Sequence, residues 1–176
     1  MKRFLVFLWN ILLFLQKLIM VAGGCLVGTL IFVEVFLRYV LGSPLFGVEE
    51  LILFTAIWLY FIGAAYGAYE RTHIKAELIH LWFQSPRSRA LVRSITGVIT
   101  VFLAATMVKW SYPYFIWGLT RGATSQALLL PMVLCQSAIF FGSILMCLYF
   151  TTELIDNLRL SFGKNQVFAP LSGKDS

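Results

Sequence analysis

Charged residues inside long apolar segments are the side chains of this sequence whose type and spacing could support chemistry. Glu34 and Arg38 lie four residues apart, so a helix places them on one face, where they can form an ion pair. On insertion scales a carboxylate within a bilayer costs roughly 2.5 kcal/mol or more, so Glu34 needs a partner, a proton or a position near the interface. The pair either faces a partner subunit or simply ends a helix at the membrane surface.

A second acidic group, Glu49 and Glu50, follows the turn residues Gly42-Ser43-Pro44. Two adjacent acids could bind a cation or act as general acids, but both kinds of site need converging ligands, and none is near in sequence. We expect both acids in the first turns of a helix, where the dipole favours carboxylates. A salt bridge to Arg38 across the short turn is expected as well.

Two histidines and one lysine within the third span complete the set of candidate residues. His73 and His80 are seven residues apart, about 10 Å along a helix, which is too far to share one metal ion without a second chain. We interpret His73, together with neighbouring Arg71, as a polar interfacial residue. Lys109 either snorkels towards the aromatic residues that follow it or is a buried cation that pairs with a partner subunit or with Glu34.

The composition indicates that membrane-spanning helices position these residues. The chain has 176 residues, of which 60% are hydrophobic and only 12% are charged, against about a quarter charged in soluble domains. One run, Leu51 to Tyr69, has no charge over a length close to the roughly 20 residues that cross a bilayer as a helix. The sequence predicts an all-α integral membrane protein whose four-helix bundle, residues 18–154, has spans at about 18–40, 48–69, 94–117 and 131–152.

Three further segments flank or connect the spans. We expect residues 1–17 to form an N-terminal interfacial helix. We expect residues 155–176 to form a short cytoplasmic tail. Between the second and third spans, Glu77 to Gln84 places polar and apolar residues on opposite sides at helical spacing, which predicts a short helix on the cytoplasmic membrane surface. Within the first span, small residues should provide surfaces for close helix packing: Gly23, Gly24 and Gly28.

The distribution of Lys and Arg predicts the orientation. Three precede the first span, five lie in the central connection and three in the tail, whereas the two other turns contain only Arg38 and Arg121. By the positive-inside rule both termini are cytoplasmic. The net charge of +6 therefore reflects membrane topology, and the chain has no nucleic-acid motif.

The order of motifs between Arg38 and Glu77 resembles a known family, the small permease (DctQ-like) subunit of tripartite ATP-independent periplasmic, or TRAP, transporters. The similarity extends over about Val33 to Leu154 and includes a weaker match at Ser125 to Met132. Two positions depart from the family pattern, since Gly47-Val48 stands where Trp-Ser/Thr is usual and Glu77 where Asp is. The matching motifs are Arg38-Tyr39, Pro44, Glu49-Glu50, Gly63-Ala64-Ala65, Arg71 and His73-Ile74.

The resemblance implies a chain that is not an enzyme and has no cofactor. It implies a small subunit, in the inner membrane of a bacterium, that scaffolds a large permease subunit for sodium-driven uptake of organic acids. Its other expected partners are a periplasmic substrate-binding protein, bound transiently, and membrane lipids. The alternative is a membrane anchor of a respiratory complex with haem or quinone, which for haem requires histidines facing each other within the spans.

Overall fold

Four α-helices make up most of the part of the chain that the structure describes. The computed structural model describes the backbone of residues 2–43, 46–70 and 86–161 and the side chains of residues 6–43, 46–70 and 94–158. Each helix contains a stretch long and apolar enough to cross a membrane, and the only strand-like pairing in the described residues is one bridge between Thr124 and Pro131. The prediction of an all-α integral membrane protein is confirmed. The helices are α1 (Lys2–Tyr39), α2 (Val48–Tyr69), α3 (Pro86–Arg121) and α4 (Val133–Ser161).

The helices are longer at several ends than the predicted spans. The predicted N-terminal helix, residues 1–17, has no boundary of its own, because α1 is one continuous helix of 38 residues, about 57 Å at 1.5 Å per residue. Its position at the membrane interface stays a prediction. Likewise, α4 continues to Ser161, so the expected tail begins within a helix. The predicted surface helix at Glu77 to Gln84 lies outside the described residues.

α2 and α4 form the centre of the bundle. In their most apolar windows, 22% and 28% of residues are buried, against 0% in α1 and 6% in α3. α4 packs against both α2 and α3, while α1 packs against α2. The order of neighbours is therefore α1, α2, α4, α3, and the two flanking helices leave most of their apolar surface uncovered.

Small residues allow neighbouring helices to approach closely. Along α3 they recur every seven residues on the side that faces α4: Gly97, Ala104, Ser111 and Gly118. A Cβ on Gly118 would collide with the side-chain amide of Gln136. Between α2 and α4, a Cβ on Gly142 would lie 2.6 Å from the Cβ of Phe61. These contacts replace the hydrophobic driving force that is absent between helices in lipid.

The expected packing role of the α1 glycines holds for one of the three. A Cβ on Gly23 would lie 3.7 Å from Leu59 of α2, but Gly24 and Gly28 have no atom within 4 Å of such a position. Gly24 and Gly28 therefore do not provide close packing between the described helices, and their role in packing against another subunit stays a prediction.

Candidate functional site

Arg38 connects the end of α1 to the start of α2. Its Nη1 lies 3.6 Å from Oε1 of Glu34 and 3.4 Å from Oε1 of Glu49. The Glu34 side chain is only 13% exposed, whereas those of Arg38 and Glu49 are 51% and 69% exposed. Arg38 thus reaches from solvent to the inner carboxylate, and the spacing of four residues had correctly indicated that pairing.

Glu50 does not join this ion-pair group, contrary to the expected salt bridge of both acids to Arg38. Its Oε2 accepts hydrogen bonds from the Ser125 hydroxyl at 2.6 Å and the Leu128 amide at 2.9 Å, and its Oε1 accepts one from the Ala127 amide at 2.8 Å. Glu50 therefore attaches the first turn of α2 to the connection between α3 and α4. The two adjacent acids have separate roles because a helix turns by about 100° per residue.

The connection between α3 and α4, residues 122–132, is closed by its own hydrogen bonds as well. The Ser125 amide donates to the Leu130 carbonyl at 2.8 Å, and the Leu130 amide donates to the Ser125 hydroxyl at 3.0 Å. Leu129 adopts a φ of 55°, a left-handed conformation that costs a residue with a Cβ roughly 1–2 kcal/mol. The hydrogen bonds on either side hold the connection in this shape, which we name the Glu50-bound loop.

Gly47 explains one departure from the family pattern. It precedes α2 with a φ of 87°, and a Cβ there would lie 2.7 Å from Cγ of Leu128. A tryptophan at position 47 could not occupy this conformation without displacing Leu128. Glycine at this position permits the Glu50-bound loop to pack directly on the start of α2.

A second polar group, which the sequence had not indicated, lies at the opposite end of the bundle. The Tyr149 hydroxyl of α4 donates to Oε1 of Gln16 in α1 at 3.1 Å, and both side chains are 2% exposed. The ring of Trp9 stands edge-on to Tyr149, with 5.4 Å between centroids. Trp9 Nε1 and Gln16 Nε2 are buried without a hydrogen-bond partner in the part of the chain that the structure describes. We call these three residues the Tyr149 cluster.

Lys17 and Tyr66 extend this end of the bundle towards its surface. The Lys17 ammonium lies 5.6 Å above the ring of Tyr66, a distance at which a cation is attracted to the π face. The Tyr66 hydroxyl in turn donates to Oε1 of Glu70 at 2.7 Å. Tyr66 and Glu70 are four residues apart along the chain, but Lys17 and Tyr66 lie on different helices, so only the fold brings the lysine to the ring.

The remaining predicted residues have no shared site. Arg71 and His73 lie outside the described residues. Lys109 is exposed on α3, and the alternative pair with Glu34 does not form, since Glu34 contacts Arg38. Among the described residues, no three His, Cys, Asp or Glu side chains come together as metal ligands would.

A crevice of about 190 Å³ opens between α3 and α4. Its walls carry no charged residue, and only two hydroxyl groups interrupt the apolar surface. Such a crevice offers nothing that compensates for the desolvation of a carboxylate. Its lining residues are Thr100, Leu103, Ala104, Met107, Ser143, Met146 and Phe150.

Comparison with known proteins agrees with this architecture. Residues 27–160, about three quarters of the chain, match the family described as tripartite ATP-independent periplasmic transporters, DctQ component. The chain belongs to the DctQ family. A DctQ-type relative from Haemophilus influenzae, named "Putative TRAP transporter small permease protein", is 26% identical over 137 residues, which cover 78% of this chain and 83% of the relative.

Membership in the DctQ family confirms the resemblance found in the sequence. DctQ proteins are multi-pass membrane components of transporters, not enzymes, and work with a large permease subunit in a TRAP system. Neither match supports the alternative of a respiratory membrane anchor.

Proposed function

We propose that this chain is a scaffold that holds the large permease subunit of a transporter for sodium-driven, binding-protein-dependent uptake of organic acids. The proposal rests on the observation that the polar groups at one end of the bundle bind other parts of the same chain. Glu34, Arg38, Glu49 and Glu50 bind one another or the Glu50-bound loop at one end of the helices. In the described spans, these contacts join elements of the chain to each other and do not surround a cavity for a charged solute.

The uncovered helix faces support the same conclusion. α1 and α3 expose large apolar side chains along most of their length, among them Phe32 at 71%, Phe102 at 69% and Trp110 at 70%. In a bilayer such faces can contact either lipid or the helices of another subunit. A rigid bundle with two uncovered flanks suits the fixed part of a transporter whose substrate site is in a moving partner.

Reconstitution tests the scaffold proposal. Proteoliposomes with a sodium gradient and external binding protein should take up the organic acid only when both this chain and the large subunit are present. Sodium-dependent uptake by this chain without a large subunit would refute the proposal. Full uptake by the large subunit without this chain would refute it as well.

The proposal includes the inner membrane of a bacterium as location, with both termini in the cytoplasm. Cysteine labelling tests this orientation in a variant without the native cysteines. A cysteine at exposed Ser43 or Gln126 should react with an impermeant thiol reagent in intact cells, whereas one at Ser172 should react only after permeabilisation. Gln126 is preferable to Ser125, whose hydroxyl binds Glu50. The reverse pattern of labelling would exclude the proposed orientation.

A further inference from the structure

Lys109 is a cation on the outer surface of the bundle, within a membrane-spanning helix. The candidate span of α3 runs from Ser94 to Arg121, so Lys109 lies 15 residues after its start and 12 before its end, about 22 and 18 Å along the axis. If a core about 30 Å thick is centred on this span of about 42 Å, the Lys109 Cα lies about 12 Å inside the hydrocarbon. An isolated charge at such a depth is costly.

The geometry of the helix makes it difficult for the Lys109 side chain to snorkel to the nearer membrane interface, at the Arg121 end. Side chains of an α-helix incline towards its N-terminus, and for α3 that direction leads from Lys109 away from the Arg121 end and towards the middle of the span. No ion pair or hydrogen bond joins the Lys109 side chain to another residue whose side chain the structure describes, and Glu34 and Glu49 both pair with Arg38. The ammonium group therefore needs an acceptor from outside the part of the chain that the structure describes.

The position of Lys109 on α3 shows which face that acceptor must approach. Lys109 is two residues from Ser111, which is buried against α4, so it lies about 200° around the helix, on the side opposite to α4. Exposed residues one and two helical turns before and after Lys109 lie on the same side of α3. We call this surface the Lys109 face, formed by Phe102, Ala105, Lys109, Pro113 and Ile116.

Pro113 removes the usual helical donor of one backbone carbonyl near the same face. Proline has no backbone N–H, so Pro113, which lies inside α3, cannot donate the usual helical hydrogen bond to the carbonyl of Lys109 four residues earlier. In membrane helices such freed carbonyls are commonly satisfied by neighbouring helices or side chains. Ala105 and Pro113 flank Lys109 with short side chains, which permits another helix to approach.

We propose that the Lys109 face binds a transmembrane helix of the large permease subunit, and that this helix carries an Asp or Glu carboxylate at the depth of Lys109. This inference rests on the proposed function. A second copy of this chain is a poor occupant, because a symmetric contact through this face would bring two Lys109 ammonium groups together. An ionised carboxylate supplies both the counter-charge and the hydrogen-bond acceptors that the ammonium needs.

Affinity measurements on the assembled complex test the proposal. The dissociation constant of this chain and the large subunit, measured in nanodiscs by fluorescence energy transfer, should rise roughly ten-fold or more in Lys109→Met, because the partner's carboxylate loses its counter-charge. Lys109→Arg should retain most of the affinity. Arg121→Met is the matched control, since it removes the same charge from the exposed end of the same helix, and it should have little effect.

A second measurement separates an interface role from a structural one. The isolated subunit carrying Lys109→Met should unfold at the same or a higher temperature than the unaltered subunit, because it no longer exposes a charge to lipid. A lower unfolding temperature would assign Lys109 to the fold of this chain and overturn the proposal. Pro113→Ala restores the backbone donor, so it should also stabilise the isolated subunit while weakening the complex.

A charge exchange identifies the partner residue. Lys109→Glu should abolish the complex, and Lys in place of one intramembrane acid of the large subunit should restore it. Equal affinities for Lys109→Met, Arg121→Met and the unaltered chain would overturn the inference and leave lipid phosphate as the acceptor. If the unaltered chain fails to bind the large subunit at all, the scaffold proposal itself fails, so the two failures are distinguishable.

Discussion

Gly142→Ala tests the close contact between α2 and α4. The added Cβ would lie 2.6 Å from Cβ, 3.2 Å from Cδ1 and 3.3 Å from the backbone carbonyl carbon of Phe61. The shortest of these distances is 0.8 Å below the 3.4 Å at which ordinary van der Waals contact begins. Rotation of the Phe61 ring cannot relieve a contact with Cβ or with the backbone, so the two helices have to move apart.

The expected loss of stability combines two opposing effects. Insertion of a methyl group into a packed core typically costs about 1–3 kcal/mol, whereas replacement of glycine by alanine in a helix gains about 0.5–1 kcal/mol. We therefore expect a net destabilisation of about 1–2 kcal/mol, or a melting temperature about 2–8 °C lower for a chain of this size. The larger value applies if the α2–α4 separation also disturbs the contacts of neighbouring helices.

Gly24→Ala is the matched control for this prediction. It makes the same chemical change in a helix, but no atom lies within 4 Å of the new Cβ, so only the gain of about 0.5–1 kcal/mol should remain. Thermal unfolding of both purified variants in one detergent, followed by size-exclusion chromatography of the protein that stays folded, measures the difference. Equal melting temperatures for Gly142→Ala and Gly24→Ala would show that α2 and α4 are not in the contact described above.

Three further predictions concern the polar contacts and the loop. Glu50→Ala should accelerate hydrogen–deuterium exchange of the amides in the Glu50-bound loop, whereas Glu49→Ala should leave their exchange unchanged; unchanged exchange in both would contradict the assigned role of Glu50. Tyr149→Phe should destabilise the chain by about 1–3 kcal/mol because it leaves the buried Gln16 amide without a partner, and Gln16→Leu added to it should recover part of this loss; additive losses would exclude their coupling. Leu129→Gly should unfold at no lower temperature than the unaltered chain, because it relieves the left-handed backbone; a marked decrease would show that the exposed Leu129 side chain stabilises the loop.

The existence of the four helices could be predicted because long apolar runs with few charges rarely form anything other than membrane-spanning helices. The span predicted at 48–69 coincides with α2, Val48–Tyr69, since a turn and two acids define its start and Glu70 follows its end. α3 begins at Pro86, eight residues before the predicted third span, in agreement with the preference of proline for the first helical turn. α3 ends at Arg121, four residues beyond the predicted end, because its helix continues past the aromatic residues that are typical of a membrane interface.

The partners of the helices could not be predicted in the same way. In water, an apolar stripe shows which side of a helix is buried, but a helix in lipid is apolar on all sides. Nothing in the local sequence therefore distinguishes Gly142, where an added Cβ would collide with Phe61, from Gly24, where an added Cβ would have no atom within 4 Å. Glu50 presents the same difficulty, because its partners lie 75 to 78 positions along the chain.

Hydrogen bonds near the two ends of the bundle can hold its helices in a single arrangement, although the outside of the bundle is apolar. Packing of small residues permits close approach but tolerates rotation and sliding, whereas hydrogen bonds that are broken in hydrocarbon leave costly unpaired groups. At one end, Glu50 sets the position of α2 relative to the α3–α4 loop. At the other end, Gln16 and Tyr149 set α1 relative to α4. Because these contacts lie near opposite ends of the helices, rotation or sliding that satisfied one would disrupt the other, which is the rigidity that the proposed scaffold role requires.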